Sequence, residues 1–165
     1  MDAIDALLTR RSVREYTAEP VTQDQVDTLL HAAMYAPSAC NQQPWHFIVV
    51  DQREQLDAIA RIHPSAQMLL QAPLAIIVSA DLSLETCPGN WVTDCSAATE
   101  NLLIAAHALG LGAVWVGIHP GEDRMKDISR LLGIPGFAQP FCLVAVGHPS
   151  APLPKVDRFN PGRIH

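Results

Sequence analysis

Charged residues are scarce in this chain: they make up 17% of its 165 residues, where an ordinary soluble domain carries about 25%. A surface with so few solvating groups is expected to be partly buried against a partner. Positive charge is scarcer still. Eleven Lys and Arg against seventeen Asp and Glu leave a formal net charge of −6, which argues against a nucleic-acid-binding protein, since such proteins need a basic footprint to displace counterions from phosphates. Long apolar runs are also missing. The longest, such as LAIIVSA at 74 to 80, are strand-sized and fall well short of the ~20 residues that span a bilayer.

The four cysteines, Cys40, Cys87, Cys95 and Cys142, form no CxxC pair and stand at no spacing used by zinc sites. They are expected to be reduced and to bind no metal. A bridge between Cys87 and Cys95 requires the fold to bring them together. The opening MDAIDALLTRR places acids ahead of its apolar residues and has no secretory pattern, which predicts a cytoplasmic protein. Two nucleotide fingerprints are lacking as well. Gly110-Leu-Gly112 meets Trp115 where GxGxxG needs a glycine, and Gly117 is followed by Ile118 and His119 rather than a P-loop lysine. None of the seven histidines stands with a Ser and an Asp in an arguable nucleophilic triad.

The elements that are present suit one domain over residues 1–165. A short amphipathic helix carrying Ile4, Leu7 and Leu8 fades near Arg10. Thr22 and Gln25 form a capping box, and the helix they open runs to about Tyr35 before Pro37 ends it. Strand-sized runs follow at 45–51, 74–80, 112–118 and 141–147. Helical periodicity lies between them at 52–62, around 66–70, at 93–109 and at 122–132. This interleaving predicts an α+β or α/β layered domain. After Gly147 the proline-rich, polar composition predicts an extended tail laid over another surface.

Two segments stand apart. RRSVREY places Arg10, Arg11 and Arg14 with Ser12 in an otherwise acidic chain. Arginines at a helix C-terminus can simply cap carbonyls, or they can hold a small anion. PSACNQQPWHF supplies Ser38, Asn41 and Gln43, whose hydroxyl and amides suit the carbonyl and N–H edge of a planar heterocycle. Together the two segments describe a ligand with an anionic end and a polar aromatic end.

In RRSVREY, PSACNQQPWHF, ALGLGAVWVG and the tail DRFNPGRIH, taken in order over nearly the whole chain, the sequence resembles the nitroreductase family of FMN-dependent oxidoreductases. The resemblance implies a three-layer α+β fold whose central sheet is mixed but mainly antiparallel. It also implies a homodimer with exchanged C-terminal tails and FMN at the subunit interface. Carried over position by position, Arg10, Arg11 and Ser12 correspond to the phosphate end, joined by Lys155 and Arg158 from the tail. Arg14 corresponds to the group on the pyrimidine side. Pro37, Ser38, Ala39 and Asn41 resemble the segment the second subunit lays against the isoalloxazine, and Trp115, Val116 and Gly117 the strand end near N5.

Hydride chemistry then belongs to the FMN, and no catalytic side chain is expected. The implied activity is a ping-pong transfer from NAD(P)H to an electron-poor acceptor such as a nitroaromatic or quinone. A flavoenzyme with another donor, or a flavin carrier without turnover, are the alternatives. Only about ten residues, 81–91, separate the second strand from the central helix, so a family helix that covers the pocket is expected to be reduced. Trp45 and Phe47 alternate at strand period and read as core, and Cys40 reads as a small loop residue.

Overall fold

Four runs rich in β-branched and aliphatic residues assemble into one sheet in the computed structural model, which describes residues 1–165. The strands β1 (Trp45–Val50), β2 (Leu74–Asp81), β3 (Gly112–Gly117) and β4 (Ala138–Gly147) lie in the order β1-β2-β4-β3, and every pairing is antiparallel. The expected mixed character is therefore confined to one isolated parallel bridge between Ser12 and Ala113. The segment that makes it turns inward at once through Val13 and Tyr16, both buried, and never extends into a fifth strand.

Successive strand residues point to opposite faces, and here both faces are apolar. Ala75, Ile77, Val114, Val116, Leu143 and Ala145 face a core shared with α3 (Arg53–Ile62) and α5 (Glu122–Leu132). Ile76, Val78, Val144 and Val146 face a second core shared with α2 (Gln23–Met34) and α4 (Trp91–Ala108). The central strands β2 and β4 are buried on both sides, and the domain is a three-layer α+β fold. Trp45 and Phe47 pack in the second core, as their alternation predicts.

Local chemistry sets the element ends. The Thr22 side chain accepts from Gln25 N and the Gln25 side chain accepts from Thr22 N, which completes the predicted capping box of α2. β4 starts three residues before the expected Phe141. Pro140 hides this extension in the sequence because it lacks an N–H, and the structure accommodates it beside a register shift at Val78/Ser79. The link between β2 and α4 holds only a single 3-10 turn at Leu82–Leu84, so no covering helix is inserted there.

α1 (Ala3–Thr9) buries only Ala6 and leaves Ile4, Leu7 and Leu8 exposed. Its apolar side faces outward, not into this chain's core. The tail returns over its own chain, with Leu153 against the first core and the Val156 carbonyl accepting from Arg11 Nη2 at 2.9 Å. Phe159 and Ile164 beyond it are exposed. No helix is long and apolar enough to cross a membrane.

The cysteine expectation is corrected by the loops. Cys40 and Cys87, 47 residues apart, form a disulfide, while Cys95 stays a free thiol in the core with Cys142. The polar loop before β1 and the loop after β2 meet at the same end of the sheet, which sequence spacing could not show.

Candidate functional site

The segment from Arg10 to Tyr16 forms an arm along the start of β3. Val13 N donates to the Ala113 carbonyl, and the Tyr16 hydroxyl donates to the Val13 carbonyl at 2.6 Å. Gly112 is what allows the approach: a Cβ there would sit 2.7 Å from Val13 Cβ. Extended backbone sends alternate side chains to opposite sides, so Arg11 and Val13 are buried while Ser12 and Arg14 are exposed together. The two exposed residues line a groove whose far wall is the tail segment Ser150–Pro154.

This alternation splits the arginine cluster. Arg11 Nη1 donates to the carbonyls of Leu8 and Arg10, which is helix capping, and its Nη2 holds the tail at Val156. Arg11 thus performs the capping that arginines after a helix can perform without any ligand. Arg10 has Glu100 as ion-pair partner at 3.2 Å, but the carboxylate lies off the N–H direction. The Nε atoms of Arg10 and Arg11 are both buried with no hydrogen bond. Buried cationic donors without a hydrogen bond are costly. His107 stands next to this charge, its Nε2 2.7 Å from the Thr9 hydroxyl. Burial first, then the charges of Arg10 and Arg11, hold it below the usual histidine range.

The loop from Ser38 to Gln43 lies at the opposite end of the sheet, where β1 begins and β3 ends. Cys40, Asn41 and Gln43 all adopt positive φ, at 52°, 53° and 46°. Non-glycine residues stay in that region only when their surroundings force them to. The force comes from Asp94, 3% exposed on α4, whose Oδ1 accepts from Ala39 N at 2.9 Å and whose Oδ2 accepts from Gln42 Nε2 at 2.6 Å. Gln42 Oε1 then accepts from both Thr86 N and Cys87 N at 3.0 Å. Ser38 Oγ accepts from Gln43 N, leaving Asn41 exposed at the turn. Pro37 is exposed and Ala39 half-buried.

At the end of β3, Val116 turns into the first core, Trp115 packs toward the second and Gly117 is exposed. The Gly117 carbonyl accepts from the buried His63 Nε2 at 2.9 Å, fixing the strand end. Trp91 at the start of α4 meets His119 edge-on, ring centroids 4.7 Å apart, and Phe141 fills the gap to Trp115. One end of the sheet therefore carries a polar strained loop and an aromatic wall, and the other carries the arginine arm with Lys155 and Arg158, both exposed, on the adjoining tail.

This arrangement matches a known family. The family model described as Nitroreductase family matches residues 7–76 and 63–148. The chain belongs to the nitroreductase family. Among relatives, a protein of Methanothermobacter thermautotrophicus provisionally named NADH dehydrogenase/NAD(P)H nitroreductase is 50% identical over 165 residues, 100% of this chain and 86% of its own. A crystal structure from Clostridium acetobutylicum, provisionally named an NADH oxidase, superposes with a TM-score of 0.94 at 41% identity and covers 98% of each chain. A structure from Desulfovibrio desulfuricans, provisionally named a nitroreductase and solved in complex with FMN, superposes at 0.82 with 30% identity over 96% of this chain and 92% of its own.

Within this nitroreductase, four contributors escape a reading of motifs: Asp94, Gln42, His107 and the Cys40–Cys87 bond. Asp94 alone left a signal. It stands four residues before Ala98 and eight before Leu102 on the buried stripe of α4, and a carboxylate on a core stripe must find partners.

Proposed function

We propose that this nitroreductase is an FMN-dependent oxidoreductase that passes hydride from NAD(P)H through its flavin to an electron-poor acceptor such as a nitroaromatic or quinone. The observation that carries this reading is the convergence of arm and tail. The Arg11 bond to Val156 ties the tail that carries Lys155 and Arg158 to the arm that carries Arg10 and Ser12, gathering basic residues as a phosphate-binding end requires. The Desulfovibrio desulfuricans protein, solved in complex with FMN, supports FMN as the cofactor.

When bound, FMN supplies the hydride chemistry. The chain's own residues do the rest. Arg10, Ser12, Lys155 and Arg158 hold the phosphate end, with Arg11 fixing the tail that brings the last two. Arg14, on the Ser12 side of the arm, places positive charge at the pyrimidine edge. Pro37, Ser38, Ala39 and Asn41 of one subunit close over the ring held by the other, and Trp115, Val116 and Gly117 form its floor. The whole of residues 1–165 acts as one FMN-binding domain in a cytoplasmic homodimer. Its dimer surface includes the outward apolar side of α1, Tyr35, and Phe159 on the end of the tail beyond Val156, the part exchanged with the partner.

Purified protein is expected to show flavin absorbance that bleaches anaerobically with NADH or NADPH. Arg10→Ala and Arg158→Ala are each expected to weaken FMN binding about tenfold or more, given ~1.5–3 kcal/mol for a hydrogen bond to a charged group and ~1.4 kcal/mol per decade. If both variants titrate as tightly as the parent, the phosphate assignment is wrong.

A further inference from the structure

Building on the flavin reading above, we propose that Cys40 and Cys87 form a second redox centre, a disulfide that takes two electrons from the reduced flavin and stores them as a dithiol. The position is the first argument. Cys40 is exposed and lies between Ala39 and Asn41, inside the loop assigned to the flavin ring. A disulfide set there has one sulfur at the flavin side and the other anchored in the loop after β2.

The second argument is that the pair is held together by more than its own bond. Gln42 Oε1 accepts from the backbone N–H of Cys87 and of Thr86, and Gln42 Nε2 donates to the buried Asp94, which also holds Ala39 N. These bonds run from one cysteine's loop to the other's and do not depend on the S–S bond. After reduction the two thiols therefore remain neighbours, as a reversible couple requires. Cys40 itself keeps a positive φ of 52° within that frame.

Third, a cytoplasmic protein retains a disulfide mainly where it is turned over, as a catalytic or sensing bond. The other two cysteines offer no competing route. Cys95 and Cys142 are fully buried, and burial pushes both thiols up, Cys142 to about 12, so neither forms the attacking thiolate.

The step balances without a further reagent. The S–S bond breaks, two electrons and one proton come from singly protonated reduced FMN, a second proton comes from solvent, and the products are oxidised FMN and two thiols. A second NAD(P)H then reduces the flavin again, and flavin and dithiol together hold four electrons, the number that converts a nitro group to a hydroxylamine.

The test is an anaerobic titration of the oxidised holoprotein with NADH or NADPH, followed by thiol counting and mass-spectrometric mapping under native conditions. Two equivalents of reductant per FMN are expected for full reduction. The native thiol count should rise from zero to two per chain, both alkylated at Cys40 and Cys87. Cys87→Ser should reach full reduction at one equivalent. Full bleaching of the parent at one equivalent with no new thiols overturns the second centre and leaves the flavin reading intact. The same thiols appearing in FMN-free protein treated with NAD(P)H overturn the route through the flavin. Protein that binds no FMN, or whose FMN does not bleach, overturns the parent reading and this inference with it.

Discussion

Replacing Asp94 by Asn isolates the link that shapes the ring-facing loop. The parent carboxylate accepts two hydrogen bonds, from Ala39 N and Gln42 Nε2. Asn fills the same space but offers one acceptor, and its amide N–H2 must face one of those two donors. Gln42 cannot turn over to compensate, because its Oε1 is already committed to Thr86 N and Cys87 N. Two bonds to a charged acceptor, about 1.5–3 kcal/mol each, are lost and one neutral bond of about 1 kcal/mol returns, for a net loss of about 2–5 kcal/mol. Relief of the buried charge works against this, but those per-bond values already include the desolvation of both groups. With a urea m-value of about 2 kcal/mol/M, the unfolding midpoint should fall by about 1–2.5 M at matched cofactor loading. Amide exchange should accelerate at Ala39, Gln42, Thr86 and Cys87 before it does in β2 or β4. A variant with the parent's midpoint and unchanged protection at those four amides would refute the view that Asp94 holds the loop.

The pH response at the other end of the sheet has a definite sign. The native pKa of His107 is depressed by burial and then by Arg10 and Arg11, so the unfolded chain takes up the proton first as pH drops below about 6.5. Stability is lost from there down to the native pKa and no further below it. His107→Gln should flatten that acid limb, and an anion bound at the arginines should raise the His107 pKa in an NMR titration; a pKa unmoved by FMN or inorganic phosphate would place the anion elsewhere. Arg14→Gln keeps a donor and removes the charge that favours reduced, anionic flavin. FMN should stay bound while its reduction potential falls and reduction by NAD(P)H slows; an unchanged potential would make Arg14 a surface residue.

Periodicity carried most of the architecture. Strand runs and helical stripes are local patterns, and each of the four strands and five helices leaves one in the sequence. Where the reading fell short, the cause was a relation between distant positions. Pro140 breaks the apolar run of β4, and its bulge partner on β2 is 61 residues away. Arg11 belongs to the same motif as Arg10, yet the one-residue offset of an extended chain buries it and turns it to capping. The Cys40–Cys87 bond, across 47 residues, and the Gln42 clamp, across 45, join the same two loops, and no spacing rule predicts which cysteine meets which. Asp94 was legible as an anomaly on its helix, whereas its partners were not.

The sheet order places β3 at an edge, and along its outer side Ala113 is engaged by the arm and the Gly117 carbonyl by His63. Between those two points the strand presents its outer backbone to no other strand. Open edges of this kind template pairing with foreign chains, and natural proteins blunt or cover them. Here the covering is assigned to a ligand and a partner subunit, so the groups that make the site useful are the same ones that would make the bare chain prone to self-association. Cofactor loading during synthesis then becomes a matter of solubility as well as of activity.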